Sequence, residues 1–161
     1  MGFSPLGLAL VAAILAPSLM LLFWPSSGPW PASRSAGVSF DAVEHAGRVA
    51  SCALLLLAGP SLEDVSSHGW GSVGLAGASV AFVGLNGVPW ARYLQSGRSL
   101  EALFRPLWGV PVPGAVFPVG ALLCAAAVSG SWWLAAASLV FAVGHLANSW
   151  HMWKHLRRAS R

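Results

Sequence analysis

The sequence predicts an all-α integral membrane protein: a single domain, 1–161, of five transmembrane helices, with the N-terminus outside and the C-terminus cytoplasmic. Three observations predict it. Only 9% of the residues are charged and 56% are hydrophobic, with a mean hydropathy of +0.67, whereas a soluble domain carries about 25% charged residues. Apolar runs recur at lengths close to the ~20 residues a helix needs to cross the hydrocarbon core. Finally, nearly all Lys and Arg residues fall where they would meet one face of the bilayer.

The first span, 5–24 (PLGLALVAAILAPSLMLLFW), is apolar throughout and lacks the positive leader of a cleaved signal peptide, so it reads as a span. The second, 40–59 (FDAVEHAGRVASCALLLLAG), qualifies if its polar face is sheltered. The third is 71–94, the fourth a short 113–130, and the fifth 131–153. Between them lie a Pro/Ser/Gly-rich link (25–39), an acidic link (60–70), a basic amphipathic link (95–112) and a tight Ser-Gly-Ser turn (129–131).

Charge orients these spans. The tail KHLRRASR carries Lys154, Arg157, Arg158 and Arg161, which places it in the cytoplasm. Arg34, Arg98 and Arg105 then fall in inner links, and Arg92 at the inner end of the third span. Glu63, Asp64 and His68 fall outside. The net charge of +4 and pI near 10.1 are thereby explained by topology, and a nucleic-acid partner is not implied. Most of the nine tryptophans, among them Trp70, Trp132 and Trp133, fit an interfacial belt. Gly74, Gly77, Gly84 and Gly87 are expected to give the third span a face that neighbouring helices approach closely. Cys52 and Cys124 are isolated, with no C-x-x-C pair, and read as small apolar residues.

The polar residues of the spans cluster. Asp41, Glu44, His45 and Arg48 follow the i, i+3, i+4, i+7 spacing of one helical face, which Ser51 and Cys52 extend. Asn86 and Arg92 come late in the third span, and His145, Asn148 and Ser149 late in the fifth, so all lie near the cytoplasmic side. An ionisable group within a span normally faces a bundle interior or a water-filled cavity. A cavity open to the cytoplasmic leaflet follows. Plainer roles are also available: Glu44 and Arg48 can neutralise each other as an i, i+4 pair, Asp41 can cap its helix, and His145 can be a satisfied core residue.

The sequence has no H-E-x-x-H, G-x-S-x-G, P-loop or dinucleotide fingerprint. Haem ligation by His45 and His145 has no supporting pattern, and neither a metal nor a cofactor is expected. An acid in an aromatic, otherwise apolar pocket suits the cyclisation of an isoprenoid, which begins when a carboxylic acid protonates an alkene or epoxide. Low dielectric keeps such an acid protonated, and aromatic faces stabilise the resulting cations. Glu44 and Asp41 are the candidate catalytic acids. His45, Arg48, Asn86, Arg92, Glu101, His145 and Asn148 are candidates for tuning the acid or binding substrate, and Phe40, Phe82, Trp90, Phe117, Phe141 and Trp150 for lining the pocket. The prolines of RPLWGVPVPG preclude a long helix and suggest a lid-like or re-entrant segment.

EHAGRVASCALLLL, ARYLQSGRSLEALFRPLWGVPVPGAVFPVGALL and VFAVGHLANSW resemble segments of a group of small five-span bacterial membrane proteins; the central segment is the most specific, and the three run over about two thirds of the chain. The size, acids and alanine-rich style are also similar to bacterial membrane-bound terpene cyclases that act on farnesylated indole compounds. That resemblance implies a class II, proton-initiated cyclisation without loss of diphosphate, in the bacterial inner membrane, and the sequence indeed carries no D-D-x-x-D motif. The expected partners are membrane lipid and an isoprenoid or prenylated small molecule. Two other functions fit the same pocket: non-enzymatic binding of a lipid or hydrophobic ligand, and a small transporter, for which the outer half supplies almost no polar path.

Overall fold

The computed structural model describes residues 3–28, 30, 35–67 and 69–159. Arg34, His68 and Arg161, which enter the charge pattern, lie outside the described residues. Seven helices form, with no strand among the described residues: α1 (Pro5–Phe23), α2 (Val38–Ala58), α3 (Leu62–Ser67), α4 (Gly69–Gln95), α5 (Leu100–Phe104), α6 (Pro113–Val128) and α7 (Trp132–Ala159). The five long helices coincide with the five apolar runs to within a few residues, and α3 and α5 are short additions in the links. Two of them, α1 and α4, are long and apolar enough to cross a membrane; α6 is apolar but shorter. The polar faces of α2 and α7 set those helices apart.

Local chemistry fixes the boundaries. Ser4 caps α1 by accepting the Gly7 N–H at 2.8 Å, with Pro5 in the first turn where its missing N–H costs nothing. Ser61 and Asp64 cap each other reciprocally at the start of α3: Asp64 Oδ2 accepts the Ser61 N–H at 2.8 Å, and Ser61 Oγ accepts the Asp64 N–H at 3.1 Å. Asp41 does not cap α2. The helix begins at Val38, three residues earlier, so Asp41 sits in its first turn with its side chain directed at α7.

Interhelical contacts show that neighbouring long helices alternate in direction. The Ser4 N–H at the start of α1 donates to the Leu56 carbonyl near the end of α2 at 2.8 Å. Ser79 Oγ of α4 donates to the Ala121 carbonyl of α6 at 3.0 Å, and Phe82 meets Phe117 one turn along. At one end of the bundle, Tyr93 Oη donates to the Trp24 carbonyl at 2.7 Å, tying the end of α4 to the end of α1. That end also carries the 95–112 link, in which Leu107 and Val110 form an isolated antiparallel bridge that turns the chain into α6. Arg92, Arg98, Arg105, Lys154, Arg157 and Arg158 belong to this end, whereas Glu63 and Asp64 lie in the link at the other.

The most extensively packed helix pair is α2 against α7, and glycine makes it possible. A Cβ at Gly144 would stand 2.7 Å from Glu44 Cα, and one at Gly47 would stand 2.9 Å from Phe141 Cβ, distances that real side chains essentially never adopt. The glycine stripe expected on the third span does not do this. A Cβ at Gly74, Gly77, Gly84 or Gly87 meets nothing within 4 Å, so that face of α4 looks out of the bundle. The backbones instead approach beside the charged residues. The apolar core lies around Leu55, Leu122, Leu134 and Phe141, and a second cluster of Trp90, Tyr93, Leu100 and Leu103 closes the basic end.

Candidate functional site

The carboxylate of Glu44 organises the site. It is 8% exposed and faces α7 across the gap left by Gly144. Arg48, one turn further along α2, donates to Oε1. His145 Nδ1 lies 3.0 Å from the same oxygen, and Asn148 Nδ2 donates to Oε2 at 2.6 Å. The Asn148 amide also donates to Asp41 Oδ1 at 3.0 Å, while its oxygen accepts the Ala36 N–H at 2.9 Å. One asparagine thus joins both carboxylates and pins the entry to α2. Hydrogen bonds to charged groups are worth more than neutral ones, so the cluster rigidly couples α2 to α7.

Behind the carboxylate, the cluster turns toward an internal cavity of about 350 Å³, within the ~300–1,000 Å³ of small-molecule sites. Its polar lining comprises Arg48, Ser51, Cys52, Asn86, His145 and Ser149, from α2, α4 and α7, with Ser18 from α1. Val11, Ile14, Leu15 and Leu21 of α1 and Ala115, Pro118 and Leu122 of α6 supply apolar walls, with Phe104 and Val112 from the link region. The His145 ring stacks on Phe141 with centroids 4.7 Å apart and planes at 18°. The Arg48 guanidinium lies 5.7 Å from the same phenyl centroid, so Phe141 supports both cavity-facing bases. Trp90 also lines the cavity and is held edge-on by Tyr93 at 6.0 Å.

The convergence of polar groups from the second, third and fifth apolar runs is therefore present, but the expected residues divide. Glu44, Asp41, Arg48, His145 and Asn148 form one network, and Asn86, Trp90 and Phe141 join Arg48 and His145 around the cavity. His45 is separate: it is exposed, and its Nδ1 contacts the Asp41 carbonyl at 2.8 Å. At 100° per residue, positions 44 and 45 fall on opposite edges of the shared face, and α7 covers the edge with Glu44. Arg92 reaches the Pro106 carbonyl at 3.4 Å, and Glu101 is exposed beside Arg105 and Arg157, both away from the central cavity. Phe82 and Phe117 face each other at 6.2 Å between α4 and α6 rather than lining the cavity. Phe40 and Trp150 are exposed at 39% and 38%.

Gly47 and Gly144, which let α2 and α7 approach at the candidate site, are the residues that sequence reasoning misses. Their signal is spacing: Gly47 lies three residues after Glu44, and Gly144 four before Asn148, each on the polar face of its helix. Among the described residues, no group of three or more His, Cys, Asp or Glu side chains is arranged to hold a metal ion.

Fold and site together define a class: an all-helical bundle in which a buried, fully hydrogen-bonded carboxylate backs an internal, mainly apolar cavity. Compared with known proteins, the chain matches no family model, no curated protein and no solved structure.

Proposed function

We propose that the protein is a five-span membrane protein of the bacterial inner membrane, with its basic end cytoplasmic, whose cavity binds a hydrophobic amphiphile of the isoprenoid or lipid class. Support for the membrane setting comes from where apolar surface is left. Only 6% of the most apolar stretch of α1 and 17% of that of α4 is buried, whereas the core helix of a soluble protein is mostly covered. Leu8, Leu19, Val49, Leu57, Val80 and Val140 are likewise exposed on four helices, an apolar belt that lipid would cover. The positive-inside rule then assigns the end with Arg92, Arg98, Arg105 and Lys154 to the cytoplasm.

The observation that carries the binding reading is the cavity's division into an apolar wall and a polar wall centred on Arg48 and His145. Mass spectrometry of the purified protein tests it. A defined amphiphile retained at one per chain supports cavity binding, whereas only bulk phospholipid, exchangeable without saturation, contradicts it.

A second reading makes the protein a class II cyclase acting on that amphiphile. It is favoured by the Glu44–His145 pair stacked on Phe141, with Trp90 across the cavity. Protonation of an alkene or epoxide, ring closure and loss of a proton would complete an isomerisation without any cofactor. Glu44 is engaged by Arg48, His145 and Asn148 and does not line the cavity, so in this reading His145 presents the proton while Glu44 and Asp41 sustain its charge. The engagement of Glu44 by three partners favours a binding role over proton donation. Membranes fed a prenylated substrate decide it: cyclised product should vanish in His145→Ala and fall steeply in Glu44→Gln, and full turnover in both variants would sink the cyclase reading.

A further inference from the structure

We infer that the amphiphile this cavity selects carries a neutral hydroxyl head, as in a long-chain or prenyl alcohol, and not a carboxylate, phosphate or ammonium group. The inference rests on the binding reading above and refines it. Two residues of the cavity lining, Ser51 on α2 and Asn86 on α4, each carry a buried polar atom, Oγ and Oδ1, without a hydrogen-bond partner among the described residues. The two residues are 1% and 2% exposed. Buried polar atoms of native proteins are overwhelmingly paired, so two among the residues of one cavity lining mark where a ligand's polar group belongs. Asn86 Oδ1 can only accept, and its partner must therefore donate; the Ser51 hydroxyl can donate or accept. A hydroxyl head meets both requirements: its O–H can donate to Asn86, and its oxygen can accept from a serine hydroxyl.

Charge excludes the other heads. Within the network Glu44 meets both basic groups, Arg48 and His145, and Asp41 meets the Asn148 amide. An anionic head could not donate to Asn86 Oδ1, and it would add a negative charge to a network that already holds two carboxylates. An ammonium head would find no carboxylate in the cavity, because Glu44 and Asp41 are not among the lining residues. A neutral head leaves the balance intact, and Val11, Ile14 and Leu122 accommodate an apolar chain.

The test uses the full chain in lipid nanodiscs with three probes sharing one tail: farnesol, farnesyl methyl ether and farnesyl monophosphate. Equilibrium binding is measured for the unsubstituted protein, Ser51→Ala and Asn86→Leu, with circular dichroism confirming helicity. One hydrogen-bonded head is worth roughly tenfold in affinity, so farnesol should bind at least about tenfold more tightly than either analogue. Asn86→Leu removes the acceptor of the alcohol O–H and should erase most of that preference, whereas Ser51→Ala removes a donor that alcohol and ether share and should keep it; Asn86→Ala carries the comparison if Asn86→Leu misfolds. Equal binding of alcohol and ether, stronger binding of the phosphate, or an unchanged preference in a folded Asn86 variant overturns the hydroxyl inference and leaves cavity binding standing. Saturable binding of none of the three overturns both.

Discussion

Gly144→Ala adds one methyl group at the closest approach of α2 and α7. Its Cβ would lie 2.5 Å from the Glu44 nitrogen and 2.7 Å from Glu44 Cα; both are backbone atoms, so the helices must separate rather than a side chain rotate. Overpacking of this kind costs about 1–3 kcal/mol. Separation also lengthens the bonds from His145 and Asn148 to the Glu44 carboxylate, and losing one charged hydrogen bond adds about 1.5–3 kcal/mol. Against this stands the gain of about 0.5–1 kcal/mol when alanine replaces a helical glycine. The net expectation is a destabilisation of about 2–5 kcal/mol. Gly74→Ala is the matched control, since a methyl there meets nothing within 4 Å, and it should be neutral or slightly stabilising. Equilibrium unfolding in mixed detergent with increasing dodecyl sulfate reads both. Equal stability of the two variants would refute the reasoning that glycine sets the α2–α7 distance.

Glu44→Ala alone should destabilise by about 2 kcal/mol, below the range for a fully buried pair because Arg48 is about a third exposed, and Glu44→Leu with Arg48→Met should recover most of it in the same assay. In intact cells, Ser66→Cys should react with a membrane-impermeant maleimide, whereas Arg98→Cys should react only after permeabilisation; the reverse pattern would invert the proposed orientation. Cys52 lines the cavity and Cys124 does not. A saturating amphiphile should therefore slow alkylation of Cys52 several-fold and leave Cys124 unchanged, as peptide mass mapping would show, and equal protection would argue against cavity occupancy.

The helices were the most legible part of the chain, because long apolar runs bounded by Pro, Gly and Ser leave little choice of element. The site was legible as far as periodicity reaches. Spacing placed Asp41, Glu44 and Arg48 on one face and His145 with Asn148 on another, and the structure joins those faces. Periodicity does not say which neighbour covers a face, and each departure follows from that. His45 shares the stripe on a helical wheel yet falls outside the edge that α7 covers. Gly74, Gly77, Gly84 and Gly87 form the more regular small-residue pattern, but the isolated Gly47 and Gly144 are opposed by backbone across the α2–α7 contact, as Gly7 of α1 is by Leu55 of α2. Phe82 and Phe117 are at plausible positions for a cavity lining and instead meet each other between α4 and α6. That Ser51 Oγ and Asn86 Oδ1 find no hydrogen-bond partner among the described residues has no sequence signal, since it depends on what the surrounding helices offer.

Photo-crosslinking in native membranes tests the central claim most directly, using a diazirine-bearing prenyl alcohol with and without excess unlabelled alcohol. Cavity binding predicts saturable, competed adducts on the peptides that line it, from Val11 to Leu21 and from Arg48 to Leu55. Adducts confined to the outward residues Leu8, Val80 and Val140, and indifferent to competitor, would contradict it.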